Sequence, residues 1–401
     1  MKETLTIGIS GPIDLKLLNW SLDKSSLPDT NGFPLTSHLI NALLERGYKV
    51  IGYTNSSEVN EHQVLRDGNL TICIGRTKPQ PGRRMFKYER EELTALMFAH
   101  PADVIYAFWT YEYAWAALDS GIPTIVSVHD IARRILLTQF DMFRLVRWYM
   151  NYRVLRRAKH LAANSNYTFK QFTKAEQERA VVLNNFYSSS FEKSVPKSPQ
   201  KGHYIVSVSM GFTKRKGVPT GLHAFARLRE KHPTLEYHLV GVGMEPGGEA
   251  QQYAEQHGLA EGVKFLGLLP LNEVLEKVAK AKVMLHASVE ESFGMAVLEA
   301  MVMGTAVVGG EKSGFIPELL NHGKAGVLCD ITSPEAIAEA TSSLLDDENL
   351  MRKIEQEAAA HVKANFSEKV VVDKYLDCVN ALYTRQGSIS GVKEEVTREV
   401  A

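Results

Sequence analysis

Short apolar runs recur along this chain, and most are separated from the next by a stretch with helical spacing. In the first half they fall at 5–9, 48–53, 70–74, 103–108, 124–128, 160–163 and 180–183. In the second half they fall at 204–208, 237–240, 263–265, 283–287, 306–308 and 326–329. Runs this short and this apolar predict strands buried on both faces, and intervening helices predict a parallel, doubly wound sheet. The first helix is expected over 34–46. Pro34 opens it, Leu35, Leu39, Leu43 and Leu44 share a face, and Gly47 stops it. Later helices are expected at about 217–231, 247–257, 271–280, 294–303 and 333–346. Between the halves, 187–203 is rich in serine, proline and lysine, the composition of a linker. Two such sheets in one chain place ligands at the carboxyl ends of the strands, in a cleft between domains.

A length of 401 residues accommodates two or three domains. The 46 basic residues balance 46 acidic ones, which gives no basis for bulk nucleic-acid binding. Cys73, Cys329 and Cys378 are odd in number and far apart, so neither a disulfide framework nor a metal cluster is expected, and a reducing cytoplasm fits. Residues 1–7 read as a strand rather than a signal peptide, and no apolar stretch reaches the ~18 residues of a membrane span.

The chemistry concentrates in 288–304. Glu291 and Glu299 stand eight positions apart, with Ser292-Phe293-Gly294 and the start of a helix between them. A helix N-terminus carries unpaired N–H groups and partial positive charge, which suits phosphate. Carboxylates there are suited to accept hydrogen bonds from sugar or ribose hydroxyls. An acidic first helical turn with no ligand is the bland alternative.

This segment resembles the E-x7-E signature of retaining glycosyltransferases of the GT-B fold, group 1 or family 4 type. The resemblance implies an α/β protein of two Rossmann-like, doubly wound parallel-sheet domains facing a central cleft. It implies an acceptor-side domain over 1–190, a nucleotide-sugar domain over 200–366, a helix at 367–385 packing back on the first domain, and a flexible tail at 386–401. It gives Glu291 to the donor sugar and Glu299 to the ribose, with Ser292, Phe293, Gly294 and Met295 beside the donor. Lys214-Arg215-Lys216-Gly217 follows the first strand of the second half, and its cations make an anion site. The family's lysine–glycine pair matches Lys216-Gly217, and that lysine holds the leaving diphosphate. The family's arginine falls near Met210-Gly211, where no cation stands. Lys214 or Arg215 substitutes for it, or the loop differs in length.

The loop 310–318 resembles the family's Gly-Gly-x-Pro-Glu element, with Gly314 near the donor, Phe315 in place of the second glycine, and Pro317-Glu318 matching. Ser127-Val128-His129-Asp130 matches a motif whose histidine lies by the donor sugar. Asn31-Gly32-Phe33 occupies the place of a Gly-Gly loop, with Gly32 matching and Phe33 departing. The basic, aromatic stretch 140–160 reads either as a core-packed helix with snorkelling arginines or as a surface for an anionic membrane or a lipid-linked acceptor.

The implied function is transfer of a sugar, with retention, from a nucleotide-diphosphate donor to a sugar, lipid-linked or other hydroxyl acceptor in polysaccharide, glycolipid or glycoconjugate synthesis. Lys216, Glu291 and His129 carry the chemistry. The resemblance implies no essential metal and no other cofactor; the leaving phosphate helps to deprotonate the acceptor. A sugar-nucleotide epimerase of the same fold and a catalytically inert nucleotide-sugar-binding protein are the rival readings. The expected location is cytoplasmic, with peripheral contact at the inner membrane surface as an added option.

Overall fold

The computed structural model describes residues 5–138, 140–194 and 200–385. The expected 386–401 tail lies outside them. The chain divides into two compact units, one formed by residues up to Phe186 together with Glu368 onward, the other by Tyr187–Ser367.

The first unit is built on an eight-stranded sheet. Its strands are β1 (Thr6–Ser10), β2 (Lys49–Ser56), β3 (Gln63–Asp67), β4 (Leu70–Arg76), β5 (Val104–Phe108), β6 (Thr124–Val128), β7 (His160–Ala163) and β8 (Ala180–Val182). Their order is β3-β4-β2-β1-β5-β6-β7-β8. All neighbours are parallel except β3 against β4. Strand β3 was not expected. Gln63, Arg66 and Asp67 interrupt its apolar character, because an edge strand at the rim needs little buried surface.

In the second unit the strands are β9 (Tyr204–Val208), β10 (Glu236–Val240), β11 (Val263–Gly267), β12 (Val283–His286), β13 (Ala306–Gly310) and β14 (Val327–Cys329). They run β11-β10-β9-β12-β13-β14, all parallel. The helix Glu348–Phe366 was also not expected. Asp347 caps it with its carboxylate, and Ile354, Ala358, Val362 and Phe366 bury one face at four-residue spacing.

The helix Glu368–Arg385 returns the chain to the first unit. Val371, Tyr375, Val379 and Leu382 enter the core with Ile7, Ile9 and Tyr106, as do Val372 and Leu376, while Val370 is only half-buried. The helix Met142–Arg157 packs one face on the core, as one reading gave, with Val146, Tyr149 and Leu155 partly buried against it. Only Met150 and Val154 are buried, while Phe143, Trp148 and Tyr152 are exposed.

Candidate active site

Strand order in the second unit reverses between β9 and β12, which are neighbours with chain leaving them in opposite directions across the sheet. Such a reversal opens a crevice at the carboxyl ends of the two strands, the usual ligand position in an open α/β sheet. Loop 209–217 leaves β9 there, loop 287–294 leaves β12, and loop 311–315 leaves the adjacent β13.

These loops brace one another. The Val289 N–H and the Ser288 hydroxyl both donate to the Arg215 carbonyl, at 2.8 and 3.2 Å. Arg215 Nη1 donates to the Glu290 carbonyl at 3.1 Å, and the Phe315 N–H donates to the Glu291 carbonyl at 3.0 Å. Arg215 is thus spent on holding the loop, and Lys214 is exposed with no ion pair among the described residues. Of the two substitutes considered for the missing arginine, Lys214 has the freer charge.

Two glycines make the bracing possible. Gly217 has φ +66°, and a Cβ there would lie 2.0 Å from the Ala287 carbonyl oxygen. Gly314 has φ +64°, and its Cβ would lie 2.1 Å from the Glu291 carbonyl oxygen. Both were expected beside the donor. In the structure each is required first by the approach of one loop backbone to another.

The side chain of Glu291 is held as firmly as its backbone. Lys216 Nζ lies 2.7 Å from Glu291 Oε1, and both side chains are about 15% exposed (15% and 14%). His286 Nε2 lies 3.5 Å from the same oxygen, too long for a well-formed hydrogen bond but close enough for charge to act. Burial pushes the Glu291 carboxyl up, but the His286 nitrogen and the Lys216 ammonium outweigh it and hold the acid well below the usual carboxylate range. Glu291 is therefore an anion at neutral pH. Sequence reasoning missed His286. The signal was available, since His286 ends a strand on the ligand edge as His129 nearly does.

Gly294 has φ +98° and caps the helix Met295–Val302, whose first N–H groups point along its axis with no side-chain cap. Phe293 is buried and stacks on Phe315 at 5.1 Å, so it supports the turn from below. Ser292 and Met295 are half-buried beside it. Glu299 lies on the fifth position of this helix. Burial raises its carboxyl to about 7, and among the described residues no cation offsets that. One acid is thus ionised and clamped, and the other is poised near neutrality.

In the first unit the reversal falls between β1 and β5. Gly32 sits in the loop after β1, where a Cβ would meet Asp14 Cβ at 2.6 Å. His129 follows β6, and its ring stacks on Phe108 at 5.2 Å and meets Phe33 edge-on at 5.9 Å. The Tyr106 hydroxyl donates to Ser127 Oγ at 2.9 Å, and Ser127 Oγ stands 2.8 Å from His129 Nε2. Burial pulls the imidazole down to about 3, so the ring is neutral at neutral pH. The Phe33 ring covers it.

The family pattern described as Glycosyl transferases group 1 matches residues 189–361, and that described as Glycosyltransferase Family 4 matches residues 35–190. The chain is a group 1 glycosyltransferase family member. Among curated relatives of this chain, N-acetyl-alpha-D-glucosaminyl L-malate synthase of Bacillus anthracis is 34% identical over 164 residues, 41% of this chain and 42% of the relative. D-inositol 3-phosphate glycosyltransferase of Corynebacterium urealyticum is 30% identical over 44% of this chain and 43% of the relative. The matches thus span less than half the length of these relatives. Among solved structures, sucrose-phosphate synthase from Thermosynechococcus elongatus superposes with a TM-score of 0.74 at 17% identity, covering 95% of this chain and all (100%) of that one. HepE of Anabaena, solved in complex with UDP and glucose, superposes with a TM-score of 0.68 at 20% identity, over 95% of this chain and 100% of that one. These likenesses give the chain the GT-B fold. Among its described residues no group of three or more His, Cys, Asp or Glu is disposed to hold a metal ion, and no helix is long and apolar enough to cross a membrane.

Proposed function

We propose that this chain is a retaining glycosyltransferase that moves a sugar from a nucleotide-diphosphate donor to a hydroxyl acceptor, without an essential metal. The observation that carries this reading is the pairing, at the β9/β12 reversal, of the Lys216–Glu291–His286 cluster with a helix whose near-neutral Glu299 has no cation beside it. Lys216 keeps two N–H directions beyond the one aimed at Glu291. Those donors and the N-terminal amides of Met295–Val302 stabilise charge growing on the departing diphosphate, and exposed Lys214 supplies the remaining cation. Both contacts to the Glu291 carboxylate fall on Oε1, which leaves Oε2 to orient donor-sugar hydroxyls. Glu299 accepts the ribose hydroxyls. The departing phosphate oxygen takes the acceptor proton, so the new bond forms on the face the leaving group vacates. HepE was solved with UDP and with UDP-glucose, which favours a uridine diphosphate sugar as donor.

Screening UDP-, GDP- and ADP-sugars by thermal shift identifies the donor, since a ligand that binds only the folded state raises the melting temperature by mass action. Transfer is then followed in Lys216→Ala and Glu299→Ala. Unchanged turnover in both variants removes the assignment.

We also propose that the acceptor side works at a membrane surface. Leu137 and Phe140 are 75% and 78% exposed just before the helix Met142–Arg157, Met142 and Phe143 are exposed at its start, and the same segment carries Arg133, Arg144, Arg153 and Arg156. Exposed apolar side chains and arginines carried on one segment suit an anionic interface. Flotation with phosphatidylglycerol vesicles, but not phosphatidylcholine vesicles, is the expected result; indifference to lipid charge refutes it.

A further inference from the structure

The first unit has its own strand-order reversal, between β1 and β5, and two aromatic residues straddle it. Phe33 ends the long loop that leaves β1, and Trp109 immediately follows β5. Their ring centroids lie 6.0 Å apart. Beneath them the rings are buried: Phe33 meets His129 edge-on at 5.9 Å, and His129 stacks on Phe108 at 5.2 Å. Phe33 and Trp109 themselves are only half-buried, so each keeps surface for a ligand.

Trp109 also has φ +64°, a left-handed backbone that a bulky residue rarely adopts. Such conformations persist where surrounding contacts enforce them, and they gather at ligand sites. The two residues that follow Trp109 are held in place. Asn151 Nδ2 donates to Thr110 Oγ1 at 2.7 Å, and the Tyr111 hydroxyl donates to the Asp130 carboxylate at 2.8 Å. Trp109 further meets Tyr113 edge-on at 6.3 Å.

We propose that Phe33 and Trp109 form a stacking platform for the apolar face of a cyclic polyol, a pyranose or cyclitol ring, and so select the acceptor. The proposal rests on the transferase reading above. A glycine at 33 would bring backbone to the ligand; a phenyl ring there replaces backbone approach with a flat apolar surface. Sugar rings present an axial C–H face to aromatics and their hydroxyls at the edge.

The test uses the full chain, its screened donor, and three acceptors: methyl glucopyranoside, myo-inositol and open-chain glycerol. Phe33→Gly is the main variant, because Phe33 has an ordinary extended backbone at φ −120°. Trp109→Gly is the second, since glycine accepts φ +64° without strain. Both are expected to raise the KM for the best ring acceptor about tenfold or more, while donor KM stays within about twofold. Trp109→Phe should restore most of the loss, and glycerol should be used equally poorly by all forms. A fluorescence change on adding the ring acceptor, present in wild type and lost in Trp109→Phe, is expected without any turnover. The platform is overturned by an unchanged ring-acceptor KM in both glycine variants, by donor KM rising in step with acceptor KM, or by wild-type preference for glycerol. If wild type binds the ring acceptor with the fluorescence change but transfers nothing, the platform stands and the transferase reading fails; if it shows neither, both fail.

Discussion

Replacing Glu299 by glutamine removes a titrating group while keeping its size. Its carboxyl is raised from 4.5 to about 7 because burial penalises the charged form. A tenfold change in proton affinity corresponds to about 1.4 kcal/mol, so complete ionisation of this buried acid costs at most about 3 kcal/mol, and about 2 kcal/mol once its partial exposure is counted. The sign follows from proton binding. The folded state holds the Glu299 proton more tightly than the unfolded chain, so stability from this group is full below about 4.5, declines as pH rises through 4.5 to 7, and is gone above about 7. Glu299→Gln should therefore melt close to wild type at pH 5 and several degrees higher at pH 8, at roughly 2–4 °C per kcal/mol for a unit of this size. Ribose hydroxyls favour the ionised form, so nucleotide binding at pH 7 should release a fraction of a proton, read by titration calorimetry in buffers of different ionisation enthalpy. Equal melting differences at pH 5 and pH 8, with no proton release, would falsify the account of Glu299.

Lys216→Ala strips the cation from a mostly buried acid and should cost about 2–4 kcal/mol by thermal melting, with Glu291→Gln in the same chain recovering part of it. Because Glu291 is held below 4.5, its contribution should be intact above that pH and lost only as pH falls through the acid range, the opposite of Glu299. Gly217→Ala should destabilise by more than about 2 kcal/mol and abolish nucleotide binding. Gly304→Ala, with a similar φ of +71° but no atom within 4 Å, should cost only about 1 kcal/mol of backbone strain. Equal melting losses in the two would show that the Ala287 carbonyl does not constrain Gly217.

Strands such as β5, β6 and β12 were legible because central parallel strands are apolar on both faces, and Val104–Phe108 or Val283–His286 admit little else. Strand β3 was not, because an edge tolerates Arg66 and Asp67. The helix Glu348–Phe366 was hidden because its buried face includes small Ala358 amid many charges. At the site, Lys216 and Glu291 could be named from local pattern, but their 2.7 Å pairing could not, since 75 residues separate them. The backbone constraint on Gly217 was hidden for the same reason: the Ala287 carbonyl that excludes a side chain comes from a distant strand end. Phe33 registered only as a departure, because the Trp109 and His129 rings that give it meaning meet it through the fold.

The second unit begins and ends at one spot. Tyr187 and Ser367 pair as an isolated parallel bridge, and the Tyr187 N–H donates to the Phe366 carbonyl at 3.2 Å. Topologically, residues 187–367 are an insert spliced into the first unit at adjoining ends. Excising that span and joining 186 to 368 through a short glycine-serine bridge should leave each half able to fold from its own gene.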